Sequence, residues 1–304
     1  MNQALIQALA VALPSLYLFL GVLYGMSFAG DREPPIHRAR RALMLSTIAL
    51  HAGLFALLSD ASGGFPRLDV WLSFSAVCLG MVSVFSLVTV RNQQPTVAAI
   101  VFIAAFLLQL SSSMFGPLRA LTERGPSTIS TIMHVLTVVL ASAAVMLSGL
   151  YGFLYLLLFR QMRRQTFGAL FRQLPDLRQL AMMTRLSALT GFLGLLLGVN
   201  VGIAMAHSRG VEGFCYTVSF VLSMLAICIH FGLIAFSKRI PGITANRASW
   251  AAVGGLMLLL GALVASALMS ETQFGPLHRM VLTNETVPTG YGEGCSAGGC
   301  YAAP

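Results

Sequence analysis

Six histidines are the residues of this chain best suited to chemistry, and their surroundings differ. His37 lies among arginines. His51 and His230 lie deep inside long apolar runs, and His134 sits a turn or two inside another. His207 and His278 fall at or beyond the ends of two more. An ionisable group within a membrane span is costly and marks function by default. A neutral imidazole tolerates such a place when each ring nitrogen has a partner, either a hydrogen bond from a neighbouring helix or a metal such as iron. For any one histidine the hydrogen bond is the simpler explanation. The pair of deep histidines shifts the balance, because all ten acidic residues fall in loops, tails or helix ends. A proton or cation pathway normally places Asp or Glu at mid-depth, so transport chemistry lacks its usual parts. A bis-histidine haem site needs imidazoles on different helices and apolar surroundings, and both are present.

The composition says what must hold these residues. Of 304 residues, 57% are hydrophobic and only 10% charged, with a mean hydropathy of +0.81. Soluble domains carry about 25% charged residues, so lipid must cover much of this surface. The net charge of +9 does not indicate nucleic acid, because the basic residues sit in connections between apolar runs. No basic patch interleaved with aromatics occurs.

A transmembrane helix needs about 20 mostly apolar residues. Eight segments qualify: Ala4–Phe28, Ala42–Leu58, Val70–Val90, Val97–Ser113, Ile129–Phe159, Thr184–Ala206, Phe214–Phe236 and Ser249–Met269. Backbone polar groups in lipid must be satisfied within the segment, which makes these spans helices. The first begins without a basic leader and runs too long for a signal peptide, so it is expected to be retained. The expected architecture is an all-α membrane protein, a bundle of about eight transmembrane helices over residues 1–269 with a polar, Gly-rich external tail over 270–304.

Lys and Arg in short loops set orientation. One side carries Arg32, Arg38, Arg40, Arg41, Arg91, Arg160, Arg163, Arg164, Arg172, Arg178, Lys238, Arg239 and Arg247. The other carries Arg67, Arg119, Arg124, Arg209 and Arg279. The richer side is expected to be cytoplasmic, leaving both termini outside in an inner (cytoplasmic) bacterial membrane.

Smaller features carry two readings each. The connection from Arg160 to Met183 is basic, with Leu170, Phe171, Leu174, Leu177 and Leu180 available to one face. It reads first as a solvated hairpin and second as a segment lying on the anionic leaflet. Gly191, Gly194, Gly198 and Gly202 bare one stripe of the sixth span, for close helix packing or for a porphyrin face. Cys78 and Cys228 read as packing residues. Cys295 and Cys300 lie in the tail, where an oxidising compartment permits a disulfide. No P-loop, dinucleotide fingerprint, H-E-x-x-H or Ser-His-Asp set is found.

The order of these histidines within their local wording resembles the cytochrome c assembly (CcsA/HemX-type) family. His51-Ala-Gly-Leu, followed by Ser62-Gly-Gly-Phe-Pro66, is similar to a membrane histidine preceding that family's GHFP-like loop. Met133-His134-Val135, continuing to Tyr151-Gly-Phe-Leu-Tyr155, resembles its external histidine at the start of a helix. Ile229-His230 followed by Pro241-Gly-Ile-Thr-Ala-Asn-Arg-Ala248 resembles its second membrane histidine and cytoplasmic turn, and Gly275-Pro-Leu-His278 its closing external histidine. The family's tryptophan-rich WWD loop is absent between the sixth and seventh spans, since the only tryptophans are Trp71 and Trp250.

The resemblance implies haem b, one group or two. His51 and His230 would be the inner axial iron ligands, and His134 and His278 the outer pair, with His207 competing for the place of His278. It implies haem handling, haem delivery or electron transfer rather than turnover, since synthase activity is in doubt without the WWD loop. The partners implied are membrane lipid, other cytochrome c assembly or electron-transfer membrane proteins, and a c-type cytochrome on the outer side. The alternatives are a non-catalytic accessory subunit of a respiratory or electron-transfer complex, or a small-molecule transporter.

Overall fold

The computed structural model describes residues 2–26, 37–66, 68, 70–89, 94–115, 128–165, 173–208 and 218–269. Within these residues the chain is helical, with no strand. The helices are α1 (Asn2–Gly25), α2 (His37–Ser62), α3 (Val70–Thr89), α4 (Pro95–Phe115), α5 (Ile129–Arg163), α6 (Leu177–Ser208), α7 (Val218–Ala235) and α8 (Ala245–Met269). All eight apolar segments are helices. Five of these, α1, α2, α4, α5 and α6, contain described stretches long and apolar enough to cross a membrane. The apolar stretches described in α3 and α7, Trp71–Leu87 and Leu225–Ala235, are shorter. The chain is a multi-pass membrane protein.

Several helix boundaries depart from the hydropathy pattern, and two of them carry visible contacts. α2 starts at His37, a turn earlier than its apolar run, and its first turn carries Arg40, whose guanidinium lies 5.7 Å from the centre of the Tyr24 ring on α1. That cation–π contact lets a basic turn pack inward. α6 starts at Leu177, where the Asp176 carboxylate accepts from the Gln179 N–H at 2.6 Å, as a helix N-cap does. Leu180 is then fully buried, and Leu174 and Leu177 pack against the same core. Of the five apolar residues expected on one face of the Arg160–Met183 connection, Leu174, Leu177 and Leu180 thus pack toward the bundle. Leu170 and Phe171 lie outside the described residues.

The helices form two groups. In the first, α1 packs on α2 and α4, and α3 on α2 and α4; in the second, α5 packs along α6 and α8, with α7 between α6 and α8. The groups meet along α3 and α5, where a methyl on Gly80 would lie 3.1 Å from Ala143 Cβ. One core of Tyr17, Phe85, Phe102, Leu147, Tyr151 and neighbours joins them. Outward faces carry Val11, Phe19, Leu107, Leu193, Trp250 and Leu258 exposed, the apolar surface that lipid would cover.

The α5–α6 seam is tight because α6 is bare there. Methyls placed on Gly191, Gly194 and Gly198 would lie 2.8 Å from Val145, 2.9 Å from Ala141 and 2.9 Å from Val138. The stripe is filled by α5, so it serves close helix packing and offers no open face to a porphyrin along those turns. Ser148 on α5 adds a hydrogen bond to the Thr184 carbonyl at 2.9 Å.

Candidate functional site

Each described deep histidine has a distinct seat. His134 stands near the start of α5, with Nδ1 2.8 Å from the Gly198 carbonyl oxygen of α6. Its ring fills the notch at Gly202, where a methyl would come within 2.9 Å of Cε1. His230, near the end of α7, places Nε2 3.0 Å from the Ala251 carbonyl oxygen of α8. A methyl on Gly255 would lie 3.0 Å from that nitrogen.

The two seats share one construction: a carbonyl at one position and a glycine four residues on. A helical side chain leans toward the N-terminus and covers the preceding turn. Glycine at the fourth position uncovers the carbonyl to a donor from the facing helix. A carbonyl only accepts, so His134 Nδ1 and His230 Nε2 carry the protons. In the neutral ring the lone pairs then fall on His134 Nε2 and His230 Nδ1, to which the described residues give no hydrogen bond.

These sites are far apart. Leu256 and Ala252 of α8 pack on Gly149 and Gly152 of α5, so His230 lies at the level of those residues. That is about 22 Å along α5 from His134 at the rise of a regular helix. His230 lies five residues before the end of α7 at Ala235, close to where its apolar run, ending at Phe236, places it.

His51 is seated differently. It is fully buried; Nδ1 lies 2.8 Å from the Tyr17 hydroxyl of α1, and Nε2 2.8 Å from Ser75 Oγ of α3. Ser75 donates to Gln109 Oε1 of α4 at 2.9 Å, and Gln109 Nε2 donates to Ser113 Oγ at 3.3 Å. Ser113 in turn donates to the Ala10 carbonyl of α1 at 2.6 Å.

His51 and His230 are therefore not brought together. α2 packs on α1 and α3, α7 on α6 and α8, and α2 and α7 share no packed interface. His207 falls within α6, while His278, Cys215, Cys295 and Cys300 lie outside the described residues. Cys78 and Cys228 are buried free thiols, and Cys78 Sγ donates to the Ala105 carbonyl at 3.4 Å. Among the described residues no cluster of three or more His, Cys, Asp or Glu could hold a metal ion. Tyr17, Ser75, Gln109 and Ser113 were not visible as a group in the sequence. The available signals were Pro14 within an apolar helix and Gln109 as an amide within another.

An imidazole that ligates iron keeps one ring nitrogen for the metal and has the other fixed by a carbonyl or carboxylate. His134 and His230 have that form, and His51, engaged at both nitrogens, does not. Tyr151 Oη on α5 and Ser249 Oγ on α8 are buried without a hydrogen-bond partner among the described residues. Ser249 packs beside Gly152, the residue after Tyr151. Comparison with protein-family models, with curated proteins and with solved structures finds no match to this chain.

Proposed function

We propose that this protein holds haem b within an eight-span membrane bundle, both termini on the outer side of a bacterial inner membrane, and hands on the haem or its electrons. The observation that supports this reading is the repeated seat of His134 and His230, each fixed through one ring nitrogen while the other has no hydrogen-bond partner among the described residues. The ordered wording around His134, His230 and His278, which resembles the cytochrome c assembly family, points the same way. His134 would serve a haem near the outer surface, with His278 or His207 as its companion ligand, and His230 a separate one toward the cytoplasmic side. Bound haem supplies reversible one-electron chemistry, or is itself the cargo. The residues of the chain orient it, through the Gly198 and Ala251 carbonyls that fix both imidazoles. The partners proposed are other cytochrome c assembly or electron-transfer membrane proteins and a c-type cytochrome outside.

The test is the visible absorption spectrum and haem content of the purified protein. A low-spin haem signal that His134→Ala and His230→Ala each diminish supports the reading. A colourless protein, prepared from cells supplied with haem, would sink it. The accessory-subunit reading draws on a different fact: every described deep histidine already has a hydrogen bond, so each is stable where it stands without metal.

A further inference from the structure

The polar chain around His51 begins with a proline. Pro14 lies inside α1 and has no N–H, so the carbonyl four residues earlier, that of Ala10, loses its helical donor. In lipid such a freed group must find a partner on a neighbouring helix, and Ser113 of α4 supplies it at 2.6 Å. A carbonyl cannot donate, so the Ser113 proton is committed to Ala10, and Ser113 can only accept from Gln109 Nε2. With the amide oriented in that way, Gln109 Oε1 takes the Ser75 proton. Ser75 must then accept from His51 Nε2–H, and His51 Nδ1, a bare lone pair, accepts from the Tyr17 hydroxyl.

Every bond points the same way, from Tyr17 to Ala10, and both ends lie on α1. We infer that this one-way ring of hydrogen bonds locks α1, α2, α3 and α4 in a single register and holds His51 as the Nε2–H imidazole, the hub of that lock and not an iron ligand. A one-residue slide of any of the four helices breaks a link and strands a buried polar group, which costs more than the bond itself contributes. The ring is not a proton path. Passing a proton through the Gln109 amide requires its imidic acid form, and Tyr17 at the far end is sealed from solvent. The inference stands on the α1–α4 geometry alone and does not depend on haem.

The experiment is nitrogen NMR of the full-length protein, labelled at histidine with ¹⁵N, in detergent or lipid. The His51 signals are assigned by their loss in His51→Gln or, if that variant does not fold, by their displacement in Ser75→Ala. A single neutral Nε2–H tautomer is expected, turning into a tautomer mixture in Ser113→Ala, whose substitution on α4 lies three hydrogen bonds away from the imidazole. An Nδ1–H tautomer, or an iron-shifted His51 resonance in protein loaded with haem, overturns the inference. So does a tautomer unchanged in Ser113→Ala, since the polarity would then not be set from Ala10.

Discussion

The imidazole of His134 occupies the space where Gly202, one helix away, has no side chain, and from there reaches the Gly198 carbonyl at 2.8 Å. Gly202→Ala places a methyl 2.9 Å from His134 Cε1, too close for a carbon contact. The ring must move off its carbonyl or the α5–α6 seam must open. A destabilisation of about 1–3 kcal/mol is expected, as for other overpacked sites. Thermal unfolding in detergent checks the stability, and the His134 ring ¹⁵N shift checks the lost hydrogen bond. An unchanged shift with unchanged stability would mean that the notch does not seat the ring.

Tyr17→Phe removes the one donor to His51 Nδ1 among the described residues and leaves a buried acceptor bare. A loss of about 1–3 kcal/mol is expected. Combined with Ser75→Ala, the effects should fall short of additive, because both remove links of one ring. A double-mutant cycle by denaturant unfolding reads the coupling; strict additivity contradicts a shared network.

Asp176→Ala removes the side-chain acceptor at the start of α6, which takes the Gln179 N–H at 2.6 Å. The expected cost is about 0.5–2 kcal/mol, the range for helix caps, while Asp176→Asn and Asp176→Ser retain most of the stability. Hydrogen exchange should rise over the first turn of α6 and leave the α5–α6 seam protected.

The proposed orientation makes an accessible contrast. In a cysteine-free background, Asp60→Cys at the end of α2 should react with a membrane-impermeant thiol reagent applied outside intact cells. Arg163→Cys at the end of α5 should react only after permeabilisation. The opposite pattern inverts the topology.

The sequence by itself determined the eight helices and the membrane setting. Runs such as Val97–Ser113 or Ile129–Phe159 have no other way to satisfy their backbone in lipid, so composition and length suffice. It also singled out His51, His134 and His230 as the histidines inside apolar runs. The tertiary structure alone decided what each one touches. Side chains that meet across helices are set by facing turns, and hydropathy does not record which turns face. The glycine stripe of α6 read first as a packing seam and second as a porphyrin groove, and α5 fills it, with Val145 at Gly191 and Ala141 at Gly194. His51 and His230 looked alike in sequence, each an imidazole in an apolar run. They part only in space, because the proline-freed carbonyl of Ala10 draws Ser113, Gln109, Ser75 and Tyr17 into one ring around His51. His230 meets a single carbonyl above Gly255, and among the described residues its other ring nitrogen has no hydrogen-bond partner.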